Sequence, residues 1–341
     1  MSEAAIATQC TKPDCQVAET GKCVDGLADK TTCPNFATAD EMDEDLETPE
    51  TEALQTVQLP SGLALTPNDI EAFALWREPT FVAIVGDSFS GKTTLVSAIY
   101  DRFLRAPFAG LNFVGSRTLM ALEERSHYSR VDSGLTLPDT ARTSIADGLR
   151  YFHLSATSSP SIKPVEFLLS DRAGEIYQQA RANSARVKDL KEIVGAHRVV
   201  ILVDGGRLVN PEERASALQG ARQMLRVLVD NDALDVRSNV QIVTSKWDLV
   251  DASVERQAIS AALTAFQTRL SADFGGRVAT LTYWNIAARD PTTQMAPAFG
   301  LDALLVDWAT PAAELPIIPG PPLDLTSEFD RLLVRTPEAA R

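Results

Sequence analysis

The sequence predicts an α/β fold in three layers: a mixed, mostly parallel sheet with helices on both faces. Two observations carry this. From residue 80 onward, short apolar runs rich in β-branched and aromatic residues alternate with longer amphipathic runs of helical period. The chain has 341 residues, 45% of them hydrophobic, enough for a substantial core in one large domain or two ordinary ones. Such strand–helix alternation packs as a sheet wrapped on both sides.

The N-terminal part is of another kind. Residues 1–60 carry 13 acidic against 3 basic side chains and so hold −10 of the net charge of −14. The rest is nearly balanced, with no concentrated basic surface of the sort nucleic acid requires. All four cysteines, Cys10, Cys15, Cys23 and Cys33, lie in this segment. The start, MSEAAIATQC, lacks the basic and apolar stretches of a signal peptide, which places the chain in the cytoplasm as an expectation. Thiols stay reduced there, so the cluster favours a structural zinc ion over disulfides. The spacing CTKPDC suits a zinc loop, whereas Cys23 and Cys33 stand wider apart than usual. Redox chemistry and unliganded thiols are the alternatives. Residues 1–38 are thus expected to be a cysteine module, and 39–60 an acidic linker too charged to bury a core. No apolar run approaches the ~20 residues that span a bilayer.

The predicted body, 61–308, begins with TPNDIEAFALWR, a helix with Thr66 as N-cap, Pro67 in the first turn and Asp69 at the capping-box position. Predicted strands follow: TFVAIVG, LRYFHLSA, VEFLLSD, RVVILVD, NVQIVTS and VATLTYWNI. The clearest helices are NPEERASALQGARQMLRVLVD, with Asn210 and Glu213 as capping partners, and VERQAISAALTAFQTRL. No helix separates LRYFHLSA from VEFLLSD, so these two should pair antiparallel and put one reversed strand at the sheet edge. Residues 309–341 read as a proline-rich tail with one short helix, SEFDRLLVR.

Chemistry is concentrated between the first strand and the helix after it. Gly86-Asp87-Ser88-Phe89-Ser90-Gly91-Lys92-Thr93 is the G-x-x-x-x-G-K-[ST] pattern of a phosphate-binding loop, which makes the predicted body a P-loop NTPase fold. The glycines allow a tight turn, and successive N–H groups then face an anion at a helix N-terminus. Lys92 reaches the β- and γ-phosphates, Thr93 binds Mg²⁺, and Thr94 extends the cradle. FLLSDRAGE supplies D-x-x-G: Asp171 at a strand end for Mg²⁺, then Arg172, Ala173 and Gly174, whose N–H can sense a γ-phosphate. In VQIVTSKWDLV, Ser245, Lys246 and Asp248 match the guanine-reading N/T-K-x-D pattern. A carboxylate can accept both hydrogen bonds that guanine offers on one edge, and adenine has no matching donor pair. In NIAARD, the N–H of Ala287 or Ala288 would meet guanine O6.

Residues 80–308 resemble a Ras-like GTPase of the translation-factor-related (TRAFAC) class. FVGSRTLMALEERSHYSR and DRAGE are similar to the bacterial double-GTPase group, as is the cysteine-containing CVDGLADKTTCPN. The resemblance implies a Mg²⁺-dependent GTP/GDP switch whose loops are ordered by γ-phosphate and released on hydrolysis. It also implies an effector protein as partner, and a nucleotide-dependent dimer is compatible with it. The first switch should bring a Thr to Mg²⁺; LPDTARTSIADGLRYFHL offers Thr140 and Thr143, with Thr143 preferred and Arg142 as a charge-stabilising neighbour.

Three departures stand out. Glu175 follows Gly174 where small GTPases often carry a water-orienting Gln, so turnover is expected to be slow or to await a partner's Arg. Ser245 stands where Asn or Thr is usual. About 78 residues lie between Lys92 and Asp171, leaving a long insert around the first switch. A GTP-bound scaffold with negligible hydrolysis is therefore the rival reading, and an ATPase or kinase a lesser one. His127, His153 and His197 lack ligand spacing and are expected to be structural.

Overall fold

Strand β1, Pro79–Val85, is the axis of the fold. In the computed structural model the described residues are 60–127, 143–160, 162–289 and 294–311, with 9–10, 12, 15, 17–29 and 32–37 of the N-terminal segment. The chain divides into two compact units, Met1–Leu59 and Pro60–Arg341. The acidic linker up to residue 59, Thr140, Arg142 and the proline-rich tail from residue 312 lie outside the described residues.

In the first unit, Gln9–Cys10 pairs antiparallel with Phe36–Ala37, and a short helix spans Val17–Thr20. Lys12 and Asp25 form an ion pair at 2.7 Å. Cys15, Cys23 and Cys33 are not in disulfides, and Cys33 is buried. Among the described residues no group of three or more His, Cys, Asp or Glu side chains is placed to hold a metal. The expected four-thiolate zinc site is therefore not formed by them.

The second unit opens with α1, Pro67–Ala74. Its capping box is the expected one: Thr66 Oγ1 accepts from the Asp69 N–H at 3.3 Å, and Asp69 Oδ2 accepts from the Thr66 N–H at 2.7 Å. After β1 come α2 (Lys92–Arg105), β2 (Asn112–Gly115) and α3 (Leu119–His127). They are followed by β3 (Arg150–Thr157), β4 (Val165–Asp171) and α4 (Gly174–Ala182). Next are β5 (Arg198–Asp204), α5 (Gly205–Val209), α6 (Pro211–Asp230) and β6 (Asn239–Ser245). The chain continues with α7 (Trp247–Asp251), α8 (Arg256–Phe274), β7 (Thr280–Asn285) and α9 (Leu301–Ala309).

The seven strands form one sheet in the order β2-β3-β4-β1-β5-β6-β7. β1 runs parallel to β4 and β5, with Thr80 opposite Phe167 and Ile84 opposite Val200. β3 is antiparallel to β4, with Arg150 opposite Asp171, as the missing helix between them predicts. The reversed strand is not at the edge, however. β2 pairs outside it, again antiparallel. Four residues of alternating exposure are too short to show a strand period, which is why β2 was not legible in the sequence.

Both faces of β1 are covered, so its side chains are apolar on both. Ala83 and Val85 join one core with Tyr177 of α4, Leu225 of α6 and Leu263 of α8. Val82 and Ile84 join the other with Leu95 and Ile99 of α2 and Leu304 and Trp308 of α9. A smaller cluster seats Ile70 and Phe73 of α1 on Tyr151 and Leu168. Among the described residues no helix is long and apolar enough to cross a membrane. The parallel strands all end on one side, and the loops that leave them build the site.

Candidate functional site

The loop from Gly86 to Gly91 turns from β1 into α2. Gly91 caps α2 with φ of 92°, a left-handed conformation that glycine tolerates. Phe89 also sits there, at φ 64°, and is 74% exposed. Lys92 is buried, and its ammonium donates to the carbonyls of Gly86 and Asp87, both at 2.9 Å. It thus lies across the mouth of the loop. Burial lowers its pKa to about 8, against the opposing charges of Asp171 and Asp87. The hydroxyl oxygens of Ser88 and Ser90 are buried within the loop and accept or donate no hydrogen bond there. An anion-binding cradle would use such polar atoms.

Beside the loop, three sequence-distant oxygens converge. Thr93 Oγ1 is 3.1 Å from Thr143 Oγ1 and 3.2 Å from Asp171 Oδ1. Thr143 donates to Asp171 Oδ2 at 2.8 Å. Of the two candidate threonines in the insert, Thr143 is therefore the one seen at Asp171. It is followed by a capped turn in which Asp147 accepts from the Ser144 N–H at 2.9 Å. Burial raises the pKa of Asp171, opposed by the Thr143 hydrogen bond and by the charges of Arg125 and Lys92. Two hydroxyls and a carboxylate are hard oxygen donors, the set that Mg²⁺ prefers.

Gly174 closes the site from the far side. A Cβ there would collide with Ser88 N and Asp87 C, so the D-x-x-G backbone lies directly on the phosphate loop. Glu175 occupies the first turn of α4 and is half-buried. Arg172 points elsewhere: its guanidinium donates to the Asp189 carbonyl at 3.0 Å and to Glu192 at 3.3 Å. Glu192 also accepts from the Tyr177 hydroxyl at 2.9 Å, and burial raises its pKa.

At the next strand ends, Ser245 donates to the Ser90 carbonyl at 2.8 Å, so its short hydroxyl ties β6 to the phosphate loop. Lys246 adopts φ of 50° and pairs with Asp204 at 3.0 Å. Asp248 lies in the first turn of α7, and the Trp247 N–H donates to the Ile286 carbonyl, which holds this turn beside the end of β7. Ala287 gives its N–H to the Phe299 carbonyl at 3.0 Å. Ala288, its neighbour, is half-buried at the same strand end. Thr94 lies in the first turn of α2.

Two histidines are structural. His153 Nδ1 accepts from the Arg117 N–H at 2.9 Å, so Nε2 carries the proton and donates to Glu166 at 2.9 Å. Burial lowers its pKa. His197 Nδ1 accepts from the Phe81 N–H at 3.0 Å while its ring stacks on Phe81.

Several residues here escaped the motif reading. Asp204 ends β5, holds Lys246 and accepts from the Gly206 N–H at 2.9 Å. A Cβ on Gly205 would collide with the Ser245 carbonyl, so this junction packs flat against the Ser245-Lys246 turn. Arg181 and Arg207 both reach Asp87, at 2.8 and 3.2 Å. The Asp204-Gly205-Gly206 run at a strand end was a usable signal; the arginines left none.

Solved structures of similar course include three GTPase-related chains. The signal recognition particle receptor SRb in the SRb-GTP/SRX complex from Chaetomium thermophilum is 15% identical, with 64% of this chain and 94% of that one covered, at a TM-score of 0.37. The S. cerevisiae Ski7 GTPase-like domain, bound to GDP and inorganic phosphate, is 14% identical over 70% of this chain and 51% of its own, at 0.39. Roco2 RocCORdC from Methanosarcina barkeri, bound to GDP, is 12% identical over 68% and 49%, at 0.32. This chain spans about half the length of the Ski7 and Roco2 chains. No curated protein matches the sequence. The motif-bearing strand ends nevertheless fall inside one family model, Double-GTPase 2, which matches residues 80–309, and the protein belongs to that family.

Proposed function

We propose that the chain is a Mg²⁺-dependent GTP switch that hydrolyses GTP to GDP and phosphate and reports the bound state to a partner protein. The observation that carries this reading is the meeting of Thr93, Thr143 and Asp171 within 3.2 Å of one another beside the phosphate loop. These residues lie 28 to 78 positions apart, and a nucleotide switch needs all three at one place. Thr93, Thr143 and Asp171 would hold Mg²⁺, which supplies charge neutralisation at the β- and γ-phosphates.

The chain's own residues do the rest. Loop amides from Asp87 to Thr93 receive phosphate oxygens, and Lys92 exchanges its carbonyl partners for them. Gly174 offers its N–H to the γ-phosphate. The γ-phosphate favours the arrangement in which Thr143 meets Asp171 and Gly174 lies on the loop. Asp248 accepts the guanine donors, Lys246 packs beside the base, and the Ala288 N–H is the free choice for O6 because Ala287 is committed to Phe299. In this reading Glu175, in the first turn of α4, orients water, yet its charge opposes the γ-phosphate, so turnover is slow without a cation from a partner.

That same carboxylate favours one second reading, a GTP-bound scaffold with negligible hydrolysis. GTP binding and single-turnover hydrolysis with Mg²⁺, with ATP as competitor and Asp248→Ala alongside, separate the readings. Tight binding lost in the variant, with phosphate release, supports the switch. Binding without release supports the scaffold. Equal competition by ATP refutes guanine selection.

A further inference from the structure

Asp87 is the second residue of the phosphate loop, and its carboxylate is engaged by two helices. Arg181, in the last turn of α4, pairs with Asp87 Oδ1 at 2.8 Å, and Arg207 of α5 donates to Oδ2 at 3.2 Å. Arg207 is itself held by Glu213 at 3.0 Å and Ser216 at 2.9 Å, both on α6. Arg181 is seated by α6 as well: a Cβ on Gly220 would fall 2.6 Å from its Nη1. The loop, α4, α5 and α6 thus meet at one carboxylate.

Helix α4 is consequently fastened to the phosphate loop at both ends. Gly174 lies on the Asp87–Ser88 peptide, and Arg181 reaches back to the Asp87 side chain. The Arg181 and Asp87 side chains are 17% and 19% exposed, so separating them leaves two largely buried charges without each other. The space behind the loop, beside Asp87, Tyr177, Arg181 and Met224, is a cavity of about 20 Å³, room for one water.

We propose that Arg181 and Asp87 form a latch that fastens the second switch segment, Gly174–Ala182, to the phosphate loop, with Arg181 a positioning residue for the triphosphate-bound arrangement. This rests on the reading of the chain as a guanine-nucleotide switch. The latch is closed in the arrangement where Thr143 meets Asp171 and Gly174 lies on the loop. A ligand's apparent affinity falls with the fraction of protein in the competent arrangement. Opening the latch therefore weakens triphosphate binding and spares diphosphate binding.

The test uses the full chain with Arg181→Gln, Arg181→Lys and Gly220→Ala. Dissociation constants are measured for GDP and for a non-hydrolysable GTP analogue, with hydrogen exchange read at 174–182 in each complex. Arg181→Gln should lower the analogue-over-GDP preference by roughly five- to tenfold, within the usual range of coupling between sites. Exchange at 174–182 should quicken only with the analogue bound, and Arg181→Lys should restore most of the preference. Gly220→Ala, which crowds Arg181 from the opposite side, should move both readouts as the Gln variant does, and it carries the test if that variant fails to fold. Equal loss of both ligands, or no change in either readout, overturns the latch while the switch reading stands. Failure of the wild-type chain to bind either nucleotide overturns the switch reading, and the latch with it.

Discussion

Thr143 donates a 2.8 Å hydrogen bond to Asp171 Oδ2, and both residues are buried, at 6% and 1% exposure. A loop threonine from a long insert has thereby become part of the site's interior. Thr143→Ala should lower the Mg²⁺-dependent gain in affinity for a GTP analogue over GDP by at least about tenfold, the scale of a lost hydrogen bond to a charged group. Thr140→Ala should leave it within about twofold. Titration of both variants with and without Mg²⁺ decides; the reverse pattern would move the switch threonine to Thr140.

Lys92 carries the pH dependence. Burial lowers its pKa to about 8 from an ordinary 10.5, so the nucleotide-free protein releases this proton between pH 8 and 10.5 while the unfolded chain keeps it. The unfolded state then binds more protons, and this group makes the free protein more stable as pH rises through that window. Phosphates need the ammonium, so GTP affinity should fall about tenfold per pH unit above 8, and binding there should take up a proton. Calorimetry in buffers of different ionisation enthalpy reads the uptake directly. Lys92→Met should abolish it, and a flat profile from pH 8 to 10 would place the pKa elsewhere.

Gly174 has no room for a side chain, because any Cβ meets the Asp87–Ser88 peptide. Backbone cannot yield as a flexible side-chain tip does. Gly174→Ala should therefore push α4 off the phosphate loop, costing about 1–3 kcal/mol of stability and most of the preference for the GTP analogue. GDP binding should survive. Paired melting and binding curves test this, and an unchanged preference would mean that the D-x-x-G backbone does not sense the γ-phosphate.

His153 should matter to folding and not to chemistry. Its two ring nitrogens are both used, by Arg117 and Glu166, in a buried setting. His153→Ala strands Glu166 without that partner and should cost about 2–4 kcal/mol, with GTP affinity unchanged in the folded fraction. Burial lowers the His153 pKa, so below its ordinary 6.5 the unfolded state takes up the proton first and stability falls as pH is lowered. The variant should lose that dependence in urea melts.

Much of this was legible because the relevant residues sit at fixed offsets. Gly86 to Thr93, Asp171 to Gly174 and Ser245 to Asp248 are local patterns whose spacing follows from a strand ending in a tight turn. VEFLLSD, RVVILVD and NVQIVTS match their strands residue for residue, since buried parallel strands are continuous apolar runs. What was not legible is long-range. The bond from Arg207 to Asp87 spans 120 positions, and exposed-looking arginines carry no periodic mark of their partner. β2 was missed for brevity, and the commitment of Ala287 depends on Phe299, which belongs to no strand.

Helix α9, the last described element, contributes Leu301, Leu304, Leu305 and Trp308 to the core at 1% exposure or less. Trp308 also donates from its ring to Gln241 of β6, and Arg198 at the start of β5 pairs with Asp307. The consequence is one of timing during biosynthesis. The ribosome needs on the order of 10 to 50 s to add the residues from β1 to α9 at ordinary elongation rates. Until α9 emerges, the patch of the sheet that its four core side chains cover beside α2 lies open, so the partly made chain carries exposed apolar surface for that time.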